Sequence, residues 1–305
     1  MKISIALAVY NGMPLLSGQL DSIAAQRVLP FELVVSDDAS TDGTAQCVKE
    51  FAARAPFPVK LVQHEANVGV TENFWAACAA CSGDVIALCD DDDVWAVEKV
   101  ERLEQAFSGP NAGFAMHEST PVNRALQPIS RRGVSFQRTA SGLTYQNPID
   151  PVQGGVFPGY VQAIRRELFA DFFRRWPGDR HREILTQRGS KRGVAPHDVL
   201  LPLFALSYAP AVLIPEKLVL HRIHPQPSKL NGLLHSERRV DRLRGRLQRV
   251  AQKASNVLSP RARRNARTYW VQRAELFELI AQGDPRLELI STRAQLYRQR
   301  AKRFG

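Results

Sequence analysis

Short apolar runs alternate with stretches of helical periodicity through the first 110 residues of this 305-residue chain. The runs Ile3 to Val9, Phe31 to Val35, Val59 to Gln63 and Val85 to Leu88 predict strands, and the segments between them carry apolar residues at helical spacing. Such alternation predicts an α/β fold, in which a mostly parallel sheet is covered by helices on both faces. Ligands of such folds bind at the carboxyl ends of the strands, so we look for function there.

Polar residues follow each of these predicted strands. Tyr10 and Asn11 follow the first strand, Asp38 follows the second, Asn67 comes shortly after the third, and a run of four aspartates begins at Asp90 after the fourth. Because the carboxyl ends of parallel strands meet at one edge of a sheet, we expect these side chains to face a single crevice.

The turn after the second strand has two interpretations. The Asp38 carboxylate is able to accept hydrogen bonds from the N–H groups of a base. The same turn is equally well explained as a capped turn, in which Ser40 or Thr41 bonds the open amides of the next helix.

The aspartate run, Asp90 to Asp93, lies directly behind an apolar strand. Four adjacent negative charges repel one another, so the run needs a positive partner or a good deal of water. Carboxylates grouped in this way suit a hard divalent cation such as Mg²⁺ or Mn²⁺, whose remaining ligands are commonly substrate phosphates. The alternative is a solvated acidic turn that caps a helix over Val94 to Phe107. The other polar strand ends favour a site.

The charge of the chain is unevenly distributed. Residues 1–230 carry 23 Lys and Arg against 24 Asp and Glu, whereas residues 231–305 carry 18 against 6. Because the pattern beyond Pro227 is also almost wholly helical, we predict an α/β domain over 1–230 and a basic helical C-terminal region over 231–305. Its arginines suit an anionic membrane surface, while a solvated bundle or an oligomer contact explains them as well. Nucleic acid is the disfavoured partner, since no recognised nucleic-acid motif accompanies the arginines.

The N-terminal residues Met1 to Val9 lack the pattern of a signal peptide. The longest apolar stretch, Val199 to Pro215, is interrupted by prolines and falls short of a membrane span. We therefore expect a cytoplasmic protein, peripheral on the inner face of the cytoplasmic membrane if the basic region binds anionic lipid.

Five segments, in this order and spacing, resemble the family 2 glycosyltransferases, which have the GT-A fold. The resemblance covers about residues 1–230, and each segment is weak evidence alone. The segments are Ala8-Val9-Tyr10-Asn11-Gly12, SDDASTDGT at 36–44, Asn67-Val68-Gly69 with Asn73, LCDDDDVW at 88–95, and Pro196-His197-Asp198.

The resemblance implies a pocket for a nucleotide-sugar donor. Tyr10, Asn11 and Asp38 look like the residues that hold its base and ribose, and we add Asn67 to the same donor-binding set.

The resemblance also implies a metal-binding Asp-x-Asp motif at Asp90 to Asp92. Asp92 would be the direct ligand of Mg²⁺ or Mn²⁺, while Asp90 or Asp91 would contact the ribose or a metal-bound water. Asp91 stands where related chains often carry a neutral residue. Farther along, Arg222 would close over the donor diphosphate and His224 would add a metal ligand, although an ordinary surface strand end is an equal alternative.

Asp198 resembles the catalytic base of inverting members of the family. Such a base takes the proton from the acceptor hydroxyl, on the side of the anomeric carbon opposite the departing diphosphate. The alternative is that Asp198 only caps the apolar helix predicted over Val199 to Ser207, beyond which the apolar residues Ala211 to Ile214 predict a further strand.

Within the family, the chain looks most similar to bacterial rhamnosyltransferases of cell-surface polysaccharide synthesis. This implies transfer of L-rhamnose from dTDP-L-rhamnose to a saccharide or a lipid-linked saccharide. The alternatives are a UDP-hexose donor, a nucleotidyltransferase and a non-catalytic sugar- or nucleotide-binding module. A nucleotidyltransferase should carry a glycine-rich phosphate loop with a lysine near its N-terminus, and Val9 to Leu20 contains no lysine.

Overall fold

The structure is a computed structural model that describes residues 1–109, 112–130, 133–139, 142–145, 158–177, 196–208, 211–223, 271, 274–282 and 284–302. Its strands are β1 (Ile3–Val9), β2 (Glu32–Asp37), β3 (Val59–Gln63), β4 (Val85–Cys89), β5 (Val94–Trp95), β6 (Phe114–Val122), β7 (Phe136–Thr139), β8 (Gly142–Tyr145), β9 (Gln162–Arg165) and β10 (Val212–Arg222). The α-helices are α1 (Leu16–Ala24), α2 (Thr44–Ala52), α3 (Val70–Ala79), α4 (Lys99–Phe107), α5 (Arg166–Arg175), α6 (Pro196–Leu206) and α7 (Glu288–Lys302). Gly159–Val161 and Pro285–Leu287 form 3₁₀ turns.

The chain forms two compact units, Met1–Arg175 with Val194–Ile223, and Trp176–Gly193 with His224–Gly305. The domain boundary predicted at residue 230 lies outside the described residues and stays a prediction. Residues 153–156, which include two adjacent glycines, and the arginine-rich residues 238–267 also lie outside the described residues. Within the ranges that the structure describes, no helix combines the length and the apolar character that crossing a membrane requires.

The first unit is built on an eight-stranded sheet with the order β3-β2-β1-β4-β9-β6-β10-β5. The first four of these strands are parallel, and their carboxyl ends therefore lie at one edge. Strand β9 runs antiparallel between β4 and β6, β10 runs parallel to β6, and the short β5 pairs antiparallel with β10. The strands β1 and β4 are buried along their whole length, as expected for parallel strands that are covered on both faces. The predicted mostly parallel α/β fold is confirmed.

Aromatic side chains join three helices of this unit. Trp75 of α3 meets the Phe172 ring of α5 edge-on at 5.1 Å between centroids, and Phe172 meets Phe204 of α6 at 5.4 Å. Phe172 is fully buried. Because α6 carries His197 and Asp198 in its first turn, this packing fixes where those two residues lie.

The segment after the aspartate run differs from the sequence prediction. A single helix was expected over Val94 to Phe107, whereas Val94 and Trp95 form β5 and α4 begins only at Lys99. The reason is a long-range pairing, since Trp95 lies opposite Val219 of β10 in the sheet. The alternative of a solvated acidic turn is also wrong, because Asp93 is fully buried.

Strand β10 is longer than predicted. A strand was expected only over Ala211 to Ile214, but β10 continues to Arg222 and pairs with β6 along most of its length. Neither β6 nor β9 was predicted. Both pair only with strands distant in the sequence, so their hydrogen-bond partners cannot be read from local periodicity.

The described part of the second unit is helical, which confirms the helical character predicted for the C-terminal region. Residues 274–281 are helical, and the 3₁₀ turn Pro285–Leu287 leads into α7. Phe277 meets the ring of Tyr297 at 5.2 Å, and Arg298 forms an ion pair of 2.6 Å with Glu278.

We predict that Phe172→Ala destabilises the first unit by about 3 to 5 kcal/mol, because it removes a fully buried ring that touches two other helices. Urea unfolding followed by tryptophan fluorescence measures the loss. The matched control is Phe173→Ala, since Phe173 is 38% exposed on the same helix. Equal losses in the two variants would contradict the packing described here.

Candidate active site

A cavity of about 690 Å³ opens where β1, β2 and β4 end. It is lined by Ala8, Val9, Tyr10, Asp38, Asn67, Gly69, Val70, Asn73, Phe74, Asp90, Asp91, Asp92, His197 and Asp198. Seven of the residues predicted from the sequence are in this set, namely Tyr10, Asp38, Asn67, Asp90, Asp91, Asp92 and Asp198. The structure therefore brings together predicted site residues that are separated by up to 188 positions in the chain, from Tyr10 to Asp198.

Asp38 connects the end of β2 to the loop before α3. Its amide donates to the carbonyl of Val9 at 3.0 Å. Its carboxylate accepts from the amides of Val68 and Gly69, at 2.5 Å and 2.9 Å, and the side chain is buried. A carboxylate has about four lone-pair sites, so these two bonds leave acceptor capacity for a ligand. The role of Asp38 at a nucleotide base stays a prediction.

Asn11 ties the end of β1 to the turn after β2. Its amide donates to Ser40 Oγ at 2.8 Å, and its side-chain Oδ1 accepts from the Thr41 amide at 2.9 Å. Its φ of 52° lies in the left-handed region, which asparagine tolerates better than most residues. Asn11 is exposed and is not one of the residues that line the cavity. Its predicted contact with the donor is untested.

The start of α2 is bonded by a different residue from those expected. Ser40 or Thr41 was expected to bond its open amides, but Ser40 Oγ accepts from the Asn11 amide, and the Thr41 amide donates to Asn11 Oδ1. Asp42 accepts from the Thr44 amide at 3.1 Å. The acidic turn therefore forms hydrogen bonds both to Asn11, after β1, and to Thr44, at the start of α2. The sequence of the turn alone does not predict the first of these contacts.

Tyr10 lines the cavity and is exposed, with 53% of its surface accessible. An exposed ring at the rim of a cavity offers a flat apolar face to a ligand. Asn67 and Val70 lie on the same lining, beside the loop that Asp38 holds.

The last aspartate of the run, Asp93, is fully buried and points away from the cavity lining. It accepts from the Arg222 amide at 3.1 Å, and His221 Nδ1 lies 3.0 Å from its Oδ1. The Arg222 guanidinium donates to the carbonyl of Asp92. The structure thus places Arg222 behind the acidic loop, where it is buried, and not on the cavity lining where a diphosphate contact was expected.

The Asp90 carboxyl is buried and is repelled by four other carboxylates. Burial, followed by the charges of Asp93, Asp92, Asp198 and Asp91, raises the pKa of its carboxyl well above its usual range. A positive charge at the cavity would have the opposite effect, because an opposite charge within about 4 to 6 Å favours the ionised form.

One group of potential metal ligands emerges among the described residues. Ligand atoms of Asp90, Asp93 and His221 all lie within 4.8 Å of one another. Asp90 belongs to the predicted ligand set, whereas Asp93 and His221 do not. Asp92 lines the cavity, and its predicted role as the direct metal ligand stays a prediction. His224 lies outside the described residues.

Asp198 is the third residue of α6, so it is not the residue before the helix that the capping interpretation required. Its side chain is 23% exposed, and its Oδ1 accepts from the Gly159 amide at 2.8 Å. Burial raises the pKa of Asp198 to about 7, although the Gly159 hydrogen bond acts in the opposite direction. The carboxyl group is therefore close to its midpoint at neutral pH.

His197 forms an uncharged wall next to Asp198. Its ring lies 4.4 Å from the Phe74 ring and 6.3 Å from the Trp75 ring, and burial lowers its pKa to about 3. Its Nε2 lies 3.3 Å from Asp198 Oδ1. Since the imidazole is neutral at physiological pH, it contributes a polar contact without a charge.

Sequence reasoning missed the residues that support the cavity from behind. These are Asp93, Lys99, Tyr160 and His221. His221 precedes Arg222, one of the predicted donor-binding residues, and this position in the chain is the signal that could have indicated it. Nothing in the sequence distinguishes Lys99 from a surface lysine.

The family model described as Glycosyl transferase family 2 matches residues 4–173, more than half of the chain. The chain belongs to this family. The resemblance predicted from the five segments is thereby confirmed at the level of the family.

Two curated relatives agree with this assignment. An uncharacterized glycosyltransferase of Nostoc is 35% identical over 179 residues, which is 50% of this chain and 55% of that protein. The abequosyltransferase RfbV of Salmonella typhimurium is 31% identical over 153 residues, which is 49% of this chain and 46% of that protein. The chain thus spans about half the length of these curated relatives.

Solved structures of glycosyltransferases share the fold. TarS of S. aureus in complex with UDP-GlcNAc has a TM-score of 0.59 at 17% identity, over 99% of this chain and 91% of that chain. The mannosyltransferase PcManGT of Pyrobaculum calidifontis, in complex with GDP-Man and Mn²⁺, has a TM-score of 0.54 at 17% identity, over 99% of this chain and 73% of that chain. The GT-A fold predicted for this family 2 chain is confirmed.

We predict that Asp38→Asn loosens the loop that precedes α3. The variant replaces one of two acceptor oxygens with a donor that faces the Val68 or Gly69 amide, and a buried unsatisfied group costs about 1 to 3 kcal/mol. Hydrogen exchange should therefore accelerate at the amides of residues 68 and 69, and the free energy of unfolding should fall.

The control for this variant is Asp21→Asn. Asp21 pairs with Arg54 at the surface, where such pairs contribute little to stability. Unchanged exchange at residues 68 and 69 in Asp38→Asn would show that the carboxylate does not hold the loop.

Proposed function

We propose that this family 2 chain transfers a sugar from a nucleotide-sugar donor to an acceptor hydroxyl with inversion, assisted by a divalent cation. The observation that carries the proposal is the single cavity that gathers Asp38, the aspartates Asp90 to Asp92, and Asp198. These are the residues that nucleotide binding, diphosphate neutralisation and proton removal require. Membership of the family favours glycosyl transfer over nucleotidyl transfer.

The residues around the acidic loop fit a hard divalent cation. Asp90 and Asp92 line the cavity, and Asp90 belongs to the group whose ligand atoms lie within 4.8 Å of one another. Burial and the neighbouring carboxylates raise the pKa of Asp90, and a bound cation would act in the opposite direction. Mg²⁺ and Mn²⁺ both favour such oxygen donors. When bound, the cation would supply charge neutralisation for a departing diphosphate.

Asp198 is the proposed catalytic base. The reaction forms a bond between the acceptor oxygen and the anomeric carbon, breaks the bond from that carbon to the donor diphosphate, and delivers the hydroxyl proton to Asp198 Oδ. The Gly159 amide holds the carboxylate in place, and the neutral His197 beside it leaves its charge uncompensated. A carboxyl whose pKa is about 7 matches the requirement that a base be poised near the working pH.

We further propose L-rhamnose, supplied as dTDP-L-rhamnose, as the transferred sugar. This rests on the resemblance of the CDDDDVW form of the acidic segment and of the segment around Arg222 to bacterial rhamnosyltransferases. The matched proteins are described with other sugars, namely abequose, GlcNAc and mannose, so a UDP-hexose donor is the main competitor. The proposed acceptor is a saccharide or a lipid-linked saccharide of surface polysaccharide synthesis.

The proposed setting is the cytoplasm, with the basic C-terminal region against an anionic membrane surface. That region contains 18 Lys and Arg among residues 231–305. Its charge would place the cavity close to a lipid-linked acceptor.

We predict that Asp198→Asn lowers kcat by about 10² to 10⁴-fold while leaving nucleotide binding almost unchanged. The amide retains the oxygen that accepts from Gly159, so only the proton acceptor is lost. In the wild type, kcat/KM should rise with pH below about 7 and level off above it, because Asp198 must be ionised to act and its pKa is raised to about 7. Initial rates of nucleoside diphosphate release, measured between pH 5 and pH 9, test both statements.

The control is Asp171→Asn on α5, since Asp171 has a similar side-chain exposure of 27% and lies in an ion pair with Arg174. It should keep wild-type kcat. Turnover that is unchanged in Asp198→Asn would show that Asp198 is not the base, whereas donor binding without turnover in both the wild type and the variant would indicate a non-catalytic binding module.

We predict that dTDP-L-rhamnose stabilises the protein more than UDP- or GDP-sugars do in the presence of Mn²⁺. A ligand at 100 times its dissociation constant contributes about 2.7 kcal/mol to the free energy of unfolding, which is easily detected in a thermal-shift assay. Repeating the screen with EDTA measures the dependence on the cation. Stronger stabilisation by a UDP-hexose would overturn the rhamnose assignment but leave the transferase assignment intact.

A further inference from the structure

Lys99, the first residue of α4, is buried almost completely, with 1% of its surface accessible. Its Nζ donates to the carbonyl of Tyr160 at 3.0 Å and lies 3.6 Å from the centroid of the Trp95 ring. Burying an ammonium group costs several kcal/mol unless negative or polar partners compensate. Lysine is almost never fully buried unless it is paired, and the partner of Lys99 is the Tyr160 carbonyl.

The electrostatic surroundings of Lys99 come from the acidic loop. Burial lowers the pKa of Lys99 to about 7, whereas Asp93 and Asp90 act to raise it. Asp93 and Asp90 therefore favour the ammonium form of Lys99, which is buried and does not line the cavity.

The carbonyl that Lys99 holds belongs to the 3₁₀ turn Gly159–Val161, and this turn touches both halves of the site. The Gly159 amide donates to Asp198 Oδ1 at 2.8 Å. The Tyr160 ring stacks on His221, with centroids 4.0 Å apart and planes 16° apart, and His221 Nδ1 lies 3.0 Å from Asp93. One short turn thus connects the proposed base to the acidic loop.

The turn has little freedom on the side of Asp198. A Cβ atom at Gly159 would lie 3.1 Å from His197 Cδ2 and 3.7 Å from Asp198 Oδ1. The backbone of the turn therefore packs closely against the His197 ring, next to Asp198, and a small displacement of the turn changes the hydrogen bond from the Gly159 amide to Asp198.

We propose that Lys99 is a positioning residue, which acts through Gly159–Val161 to aim the Gly159 amide at the carboxylate of Asp198. The inference rests on the proposed function, because it assigns a role to Asp198 as the base. Lys99 itself touches neither the cavity lining nor the proton that is transferred.

The experiment compares Lys99→Met, Lys99→Gln and Lys99→Arg in the full chain. Methionine has a similar length and suits a buried site, but it leaves the Tyr160 carbonyl without its donor, so the protein should stay folded with a lower free energy of unfolding. In Lys99→Met, hydrogen exchange of the Gly159 amide should accelerate and kcat should fall by about 10²-fold, with the donor KM changed little. Loss of the Gly159 hydrogen bond should also move the acidic limb of the pH profile to higher pH, because that bond lowers the pKa of Asp198.

The other variants grade the effect. Arginine and glutamine both retain a donor for the Tyr160 carbonyl, so they should recover part of the lost rate and of the Gly159 protection. They also test the inference if Lys99→Met does not fold. The matched control is Lys49→Met on the exposed surface of α2, which should behave as the wild type.

The outcomes distinguish the positioning role of Lys99 from the proposed transferase function. If the wild type transfers sugar and Lys99→Met keeps both its pH profile and its Gly159 protection, the positioning role is wrong. A fall in rate that only follows a loss of stability would also overturn it. If the wild type transfers no sugar, the proposed function fails, whereas the exchange of Gly159 still reports whether Lys99 holds the turn.

Discussion

Negative charge must be held at the end of a completely buried strand, and the rest of the site is arranged around that requirement. Strand β4 has no exposed residue, yet four aspartates follow it directly. The structure resolves the repulsion by sorting the carboxylates. Asp93 turns inward to the Arg222 amide and His221, while Asp90, Asp91 and Asp92 face the cavity.

The inward half of this arrangement explains several features that otherwise look unrelated. Arg222 ends β10 because its amide and guanidinium both bond the acidic loop. Strand β5 pairs with β10 just after the loop and closes it against the sheet. Lys99 follows at the start of α4, where it is buried and does not line the cavity. About ten consecutive residues therefore carry the acidic loop, the strand that closes it and the buried lysine.

The sequence predicts the part of this structure that depends on local patterns. Four apolar runs became the four parallel strands, and the residues that follow them line one cavity, because strand direction alone determines where such residues meet. It does not predict β6, β9 or the extension of β10, since these strands exist through pairing with distant partners. The burial of Asp93 and Lys99 was not predicted for the same reason, because only the fold shows which way each side chain points.

The Asp38 contact has a consequence for altering donor choice. The loop before α3 is held by main-chain amides of Val68 and Gly69, not by their side chains. Its path is therefore largely independent of the side chains at neighbouring positions, and Asn67 and Val70 on the cavity wall are open to replacement. Libraries built at those two positions would reshape the wall for new substrates while the anchored backbone keeps its course.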